Sequence, residues 1–351
     1  MKFPRILALT AMLPVIFSCK EEVTVSENTI PFVREVILDE SLHEHGVLYS
    51  SLEPLPSGDV VIVGSRQAAR TVLDAFAAFD SFDNIDGSSA SDGLPDFSGE
   101  NLVCLRDDYH SPYYLQAARD RQAFRRLGVE MLLASMDSLY SVSQYDIIGR
   151  GRKNPAKAVV FADPEIDRHA RFDIDTLLLA SGCDLPVFSP LASVSARIPE
   201  GANVGVICRP EHYGSDLYTT FWPDCTVFAS DSLGPLTSFL DRYVAQGALS
   251  ALDVLVVADG EVDLEELQNE LEAVNDMNRL EYLDYNHLLS GDFKVIVPAE
   301  AMAADCIRTL RERDLFSHRI HYPEKKFYLT VARPRTDDGS YIVIPDIYVQ
   351  N

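Results

Sequence analysis

Two acids stand where a parallel sheet presents groups to a ligand. Asp163, followed by Pro164 and Glu165, ends the apolar run Ala158 to Ala162. Asp259, followed by Gly260 and Glu261, ends a second run, Leu252 to Val257. Ligands of open α/β sheets bind outside the carboxyl ends of the strands. A facing pair of carboxyls can divide acid and base roles, or can hold a cation. A smaller set of polar and small residues sits at earlier strand ends: Gly64-Ser65, then Asp107, His110, Pro112 and Tyr113. A small residue at a strand-to-helix turn leaves backbone N–H groups free for an anion.

The elements that must position these residues are legible as alternating strands and helices. Ala158 to Ala162 leads into a helical pattern with Phe172, Leu177, Leu178 and Leu179 on its apolar side. Gly182 breaks that helix, and the run Leu185 to Leu191 begins, which makes a βαβ unit. The pattern returns as the strand Leu252 to Val257 and the helix Asp263 to Val274. Before the central unit come the strand Asp59 to Val63 and a helix bearing Val72, Leu73 and Phe76. The strand Leu102 to Leu105 and a long helix over about Ala118 to Leu139 follow. After it come strands at Asn203 to Cys208 and Thr226 to Ala229, with helices around Leu217 to Phe221 and Pro235 to Ala245. A short strand at Tyr282 to Tyr285, a helix over Ala299 to Arg313 and an edge strand at Lys326 to Val331 close the chain. Ser81 to Glu100 reads as a loop and Ile147 to Lys157 as a basic connector. Alternation of this kind predicts an α/β protein with mainly parallel sheets.

The chain has 351 residues, enough for two domains, and a formal net charge of −24. That charge excludes a basic face for nucleic acid or anionic headgroups. Residues 1–18 read as a signal peptide: Lys2 and Arg5 precede an apolar segment, Ile6 to Phe17, too short to span a bilayer. Ile16-Phe17-Ser18-Cys19 resembles the lipobox of bacterial lipoproteins. The Cys19 thiol would then carry a lipid anchor into the cell-envelope membrane. Lys20-Glu21-Glu22 looks like a signal for the outer membrane and its surface. The other cysteines, Cys104, Cys183, Cys208, Cys225 and Cys306, are odd in number and form no CxxC, so neither a disulfide framework nor a zinc pattern is expected.

Further motifs stand in order between these sites. They are Thr71-Val72-Leu73, the stretch Asp107 to Tyr114, Leu185 to Pro190, Val204 to Ile207 with Ser215 and Tyr218, and Phe327 to Thr330. Together with Gly64-Ser65 and the two acid turns, their order and spacing resemble the glutamate racemase and wider aspartate/glutamate racemase family. The resemblance covers about Asp59 to Pro334. It implies two similar Rossmann-like lobes with the site in the interlobe cleft, and no cofactor. It implies the boundaries 19–57 for a lipidated tether, 58–187 plus 284–335 for lobe 1, 188–283 for lobe 2 and 336–351 for a tail. Family enzymes set two thiols on opposite faces of the substrate's Cα.

Here both thiol positions are acids, Asp163 and Asp259. The supporting residues change with them: Pro164-Glu165, Gly260-Glu261 and Gly64 stand where the family has Asn-Thr, Thr-His and Asp. Ser65 and Pro112-Tyr113 are retained. A carboxylate is the weaker base: Asp titrates near about 3.9 against about 8.5 for Cys, a difference of roughly 6 kcal/mol. The substrate's own carboxylate would also meet Asp163, Asp259, Glu165 and Glu261 with little to neutralise them. A free amino acid is a poor ligand for such a site, and a cationic ligand or a hard metal cation fits the charge better; the expected partner is a small molecule, amino-acid-like or cationic, and no metal-ligand spacing is present.

Three functions follow. The first is a racemase-fold lipoprotein that has lost racemisation and binds a ligand or partner in the envelope. The second is an active amino-acid racemase or related lyase using Asp163 and Asp259 as its acid/base pair. The third is a two-lobed solute-binding lipoprotein, which the segment Val204 to Phe221 also resembles. His110 stands where the family often has Arg, and it could partner one of the acids. His169, His212, His287, His318 and His321 share no ligand spacing and read as surface or capping groups. Trp222 reads as packing, Tyr109, Tyr113 and Tyr114 as a wall or a sheet cover, and Arg150, Arg152 and Lys153 as a solvated connector.

Overall fold

Runs of β-branched residues without charge are buried on both faces of a sheet, and they form the centre of each sheet here. In the computed structural model, residues 26–346 are described, apart from 86, 147, 232, 233, 248, 249, 318, 320, 335, 337 and 338. The expected signal peptide, Cys19, His318 and the first residue of the Ile147 connector lie outside the described residues.

The first sheet has the spatial order β12 (Tyr341–Pro345), β11 (Glu324–Ala332), β2 (Asn101–Arg106), β1 (Asp59–Gly64), β5 (Ala156–Phe161), β6 (Val187–Phe188). All neighbours are parallel except β11 and β12. The second sheet has the order β10 (Leu289–Ile296), β9 (Leu252–Val257), β7 (Asn203–Ile207), β8 (Thr226–Ser230), parallel throughout. A small antiparallel pair, β3 (Leu139–Ser141) with β4 (Arg150–Arg152), stands apart.

The two sheets repeat one topology. In the first, the strands run β2-β1-β5-β6; in the second, β8-β7-β9-β10. In both, the first strand is flanked by the second on one side and the third on the other, and the fourth lies beyond the third. The chain is an α/β protein of two similar lobes with mainly parallel sheets.

Helices cover both sheets. On the first lobe lie α1 (Pro31–Leu38), α2 (His43–Ser50), α3 (Arg66–Ala78), α4 (Tyr113–Arg119), α5 (Arg121–Met136), α6 (Pro164–His169) and α7 (Arg171–Ser181). With the second go α8 (Pro190–Ser195), α9 (Leu217–Phe221), α10 (Leu236–Ala245), α11 (Leu264–Asn275) and the short α12 (Leu283–Asn286). α13 (Pro298–Glu312) belongs to both cores: Met302, Ala303 and Cys306 pack with the first sheet, while Ala301 packs with Leu191 and Val194.

The structure departs from the sequence reading at definite places. Over residues 31–50 the segment read as a tether is two helices, with Phe32, Val33, Val36, Ile37 and Leu48 in the first core. The long helix is α5 alone, Arg121–Met136, with the separate α4 before it, because Asp120 turns extended and caps α5 through the N–H groups of Gln122 and Ala123. On α7, Ile174, Leu177 and Leu178 are buried, whereas Phe172 and Leu179 are exposed. Gly182 ends that helix at a φ of 70°, a left-handed stop that glycine adopts without a Cβ penalty. Tyr282 to Tyr285 is helical rather than a strand. β10 was not anticipated, and it belongs to the second sheet although it follows position 284. β11 is interior, with β12 outside it. Lys153 of the connector is buried, and its ammonium donates to Ser135 O at 2.7 Å.

A buried ion pair braces the first sheet from below. Lys157 Nζ meets Glu100 Oε2 at 2.5 Å, and it also donates to the carbonyls of Pro56 and Leu315. The crossing into the second lobe is fixed in a similar way. Asp167 accepts from the Ser189 hydroxyl and from Leu191 N. Burial pushes its carboxyl up to about 6.

Candidate functional site

Both acid turns open on one cavity of about 190 Å³ between the lobes. Asp163 follows β5 and Asp259 follows β9, the third strand of each repeated order, so the fold brings equivalent ends together. Each acid is held by the same local bond. Asp163 Oδ1 accepts from Glu165 N at 3.1 Å, and Asp259 Oδ1 accepts from Glu261 N at 3.0 Å. A side-chain oxygen that binds the N–H two residues on is the ordinary habit of Asp at a turn or helix cap.

The surroundings differ. Asp163 caps α6, and the Ser65 hydroxyl reaches its Oδ2 at 3.4 Å. Burial lifts the Asp163 carboxyl to about 6, against the pull of the Glu165 N–H and the more distant charge of Arg209. Around Asp259 the lobes touch. A Cβ on Gly260 would lie 2.6 Å from Thr71 Cγ2 of α3, so only glycine lets this turn approach. Next to it, Gln67 Nε2 donates to Glu261 Oε1 at 2.7 Å.

Of the residues expected at the site, Ser65, Pro112, Tyr113, Asp163, Pro164, Asp259 and Gly260 line the cavity. Gly64, Asp107, His110, Glu165 and Glu261 do not. Gly64 faces Ala162 across the strand pair, where a Cβ would lie 3.0 Å from that residue's own. Asp107 is fully buried and collects His110 Nδ1 at 2.9 Å, the Tyr113 hydroxyl at 2.9 Å and the Thr330 hydroxyl at 2.5 Å. His110 therefore partners Asp107 rather than either cleft acid, and its ring packs edge-on to Tyr109 and Tyr341. Tyr113 and Tyr114 line the cavity and Tyr109 does not.

Glu165 and two histidines correct the reading most sharply. Glu165 is buried behind the cavity, between His169 Nε2 at 3.2 Å and His212 Nε2 at 3.6 Å. Burial alone would raise its carboxyl; the His169 bond and the charges of His212 and Arg168 outweigh that and leave it below the usual carboxylate range. His212 is depressed in turn, because burial disfavours its cation more than Glu165 favours it. So His169 and His212 join the lobes through one carboxylate, where surface or capping roles were expected. His287 is exposed, and His321 bonds the carbonyl of Tyr322.

Sequence reasoning missed much of the wall. Ala68, Val72 and Ala75 of α3, with Leu191 and Val194 of α8 and Met302 of α13, make it largely apolar. Arg209, His212 and Tyr218 enter from the chain after β7. Arg209 lines the cavity and pairs with Glu211 at 3.6 Å. Tyr218 is 2% exposed and sits beside the Cys208 thiol; its hydroxyl has no hydrogen-bond partner of normal geometry among the described residues. It stacks on Trp222, whose Nε1 donates to Ser195. The charges first read as crowding a substrate are thus mostly matched elsewhere: Glu165 by two imidazoles, Glu261 by Gln67. Among the described residues no group of three or more Asp, Glu, His or Cys is arranged to hold a metal.

No protein-family profile matches the sequence, and no curated protein matches it. Solved structures do show similarity. Glutamate racemase from Francisella tularensis subsp. tularensis SCHU S4, in complex with D-glutamate, is 14% identical with a TM-score of 0.46, over 79% of this chain and 90% of its own. Glutamate racemase from Thermus thermophilus, in complex with β-chloro-D-alanine, is 17% identical with a TM-score of 0.46, over 79% and 90%. A Bacillus anthracis glutamate racemase isoform is 16% identical with a TM-score of 0.43, over 78% and 89%.

Proposed function

We propose that the chain is an envelope lipoprotein whose interlobe cleft binds a small molecule without two-thiol racemisation. The observation that carries this reading is the chemistry of the cavity wall. Carboxyls, Asp163 and Asp259, stand at the two equivalent strand ends, and none of the five described cysteines lines the cavity. Burial pushes the thiols of Cys104 and Cys208 up to about 12, so they rest protonated and unreactive. Retained shape with altered reactive groups supports binding over turnover.

A second reading has one specific observation in its favour. A carboxyl held at about 6, as Asp163 is, suits a general acid, and Asp259 would then serve as base. Incubating the full chain with L-Glu or L-Asp in deuterated water separates the two. The binding reading expects no deuterium at Cα; steady incorporation, lost in Asp163→Asn and Asp259→Asn, would establish the isomerase instead.

The Ser18-Cys19 motif supports a lipid anchor in the cell envelope, and Lys20-Glu21-Glu22 supports the outer membrane as its place. Cys19→Ala is expected to shift the protein from the membrane to the soluble fraction, and an unchanged distribution would remove the anchor.

A further inference from the structure

The cavity is more specific than an acidic cleft, and three features of its wall point to one class of occupant. The first is the acid end. Asp163 and Asp259 are 7% and 4% exposed, and the second oxygen of Asp259 accepts no hydrogen bond among the described residues. The basic groups nearby have other partners: Arg209 pairs with Glu211, and His212, whose charged form burial disfavours, faces Glu165. The second feature is independent of the acids. The Tyr218 hydroxyl, nine-tenths buried and lining the same cavity, has only the Cys208 thiol beside it and no hydrogen bond of normal geometry among the described residues, and a buried hydroxyl in that state costs free energy until something satisfies it. The third is the apolar part of the wall, where Ala68, Val72, Ala75, Leu191, Val194 and Met302 offer only hydrocarbon, with Glu300 of α13 as a further carboxyl in the lining.

Size narrows the class further. Pockets for drug-sized ligands run to roughly 300–1,000 Å³, and an apolar cavity of about 150 Å³ holds a benzene ring. A volume of about 190 Å³ suits a molecule of some seven to nine non-hydrogen atoms, about that scale.

From this arrangement we infer that the cleft takes a small primary amine with an apolar tail of about six carbons. Its ammonium lies between Asp163 and Asp259, and its tail lies along α3, α8 and α13. The inference rests on the binding reading above and gives that site its ligand class. A free dicarboxylic amino acid fits poorly, because its two carboxylates would meet Asp163, Asp259 and the hydrocarbon wall, with Arg209, already paired with Glu211, as the one Arg or Lys among the lining residues. The Tyr218 hydroxyl supplies an oxygen that accepts from the ammonium, and the partner it now lacks is provided by the ligand.

Calorimetric titration of the purified full chain tests this with four probes: n-hexylamine, ethylamine, hexanoate and L-glutamate. Hexylamine is expected to bind, and ethylamine, which keeps the head and loses four methylenes, to bind on the order of a hundredfold more weakly. Hexanoate, with the chain but the opposite charge, is expected not to bind. Asp259→Asn should weaken hexylamine by about tenfold or more. Ala75→Phe and, separately, Ala68→Leu should each abolish binding by filling the apolar wall; two fillers guard against a single misfolded variant. Equal affinity for hexylamine and ethylamine, binding of hexanoate, unaltered binding in both filled variants, or no binding of hexylamine each overturns the inference. If L-glutamate binds instead and its Cα proton does not exchange, the amine class falls while the binding function stands. If exchange occurs, the binding function itself falls.

Discussion

The same acid turn is built twice, and its two copies are held in different ways. Asp163 caps a helix, is touched by a serine hydroxyl, and backs onto a carboxylate clasped by two imidazoles. Asp259 sits on a turn that meets the other lobe at the Thr71 methyl beside Gly260 and through Gln67 on Glu261. Their sheets differ in kind as well. The first is stiffened by the buried Lys157–Glu100 pair, the Asp107 cluster, and Asp173 with Arg125. The second, among the described residues, rests on aliphatic and aromatic packing around Val204, Val254, Phe239 and Trp222. One strand topology thus supports a polar, tightly bonded acid in one lobe and a sparsely bonded acid in the other. The lesson is that fold equivalence fixes where a carboxyl stands, and its neighbours fix how it is held.

The largest expected effect breaks the difference between the lobes. Lys157→Met leaves Glu100 buried without its partner, and the first lobe should lose about 3–5 kcal/mol. The single tryptophan, Trp222, lies in the second lobe, so its emission reports that lobe while far-ultraviolet dichroism reports both. In urea, the dichroism transition is expected to move to lower denaturant before the emission does. Coincident transitions would mean that the lobes unfold as one. Adding Glu100→Gln should recover part of the loss.

A smaller effect sharpens the difference between the acids. The folded Asp163 carboxyl, at about 6 against an ordinary 3.8, holds its proton more tightly than the unfolded chain does. Stability is therefore lost as pH rises from about 4 to about 6, by roughly 3 kcal/mol, and the cost is fully present above that window. Asp163→Asn keeps an acceptor for Glu165 N and removes the cost, so the variant should exceed wild type at pH 7 and approach it at pH 4. Urea midpoints at the two pH values check this, and a variant less stable at pH 7 would refute the burial argument.

The smallest effect probes the contact between lobes. Gly260→Val drives a side chain into Thr71 and should cost about 1–3 kcal/mol. Thr71→Ala in the same chain should return much of it in a double-mutant cycle. A cycle with no coupling would mean that the turn and α3 do not press on one another.

The sequence revealed what depends on short-range pattern. β1, β5 and β9 were legible because each carries an apolar run, Val60 to Val63, Ala158 to Phe161 and Val254 to Val257, and the ends of β5 and β9 marked both acids. β10 was not, because Ser290, Gly291, Asp292 and Lys294 make it read as a polar loop; the strand survives at a sheet edge where half its side chains face solvent. α1 was too short and too close to the N-terminus to distinguish from a tether, since its partners on α7 and α5 lie far along the chain. At the site, Arg209, His212 and Tyr218 were invisible as a group, because only the return of the chain after β7 into the cleft brings them to Asp163. The pairing of Glu165 with His169 had an i,i+4 signal, but nothing local announced His212.

The central claim is that two equivalent strand ends serve one cavity and hold one ligand between them. Carbon-detected NMR of the full chain with labelled aspartate, titrated with n-hexylamine, tests it most directly. The account predicts that the carboxyl resonances of Asp163 and Asp259, assigned through their Asn variants, shift together with one saturation curve while Asp107 and Asp167 stay in place. Movement of only one of the pair, or separate curves for the two, would contradict it.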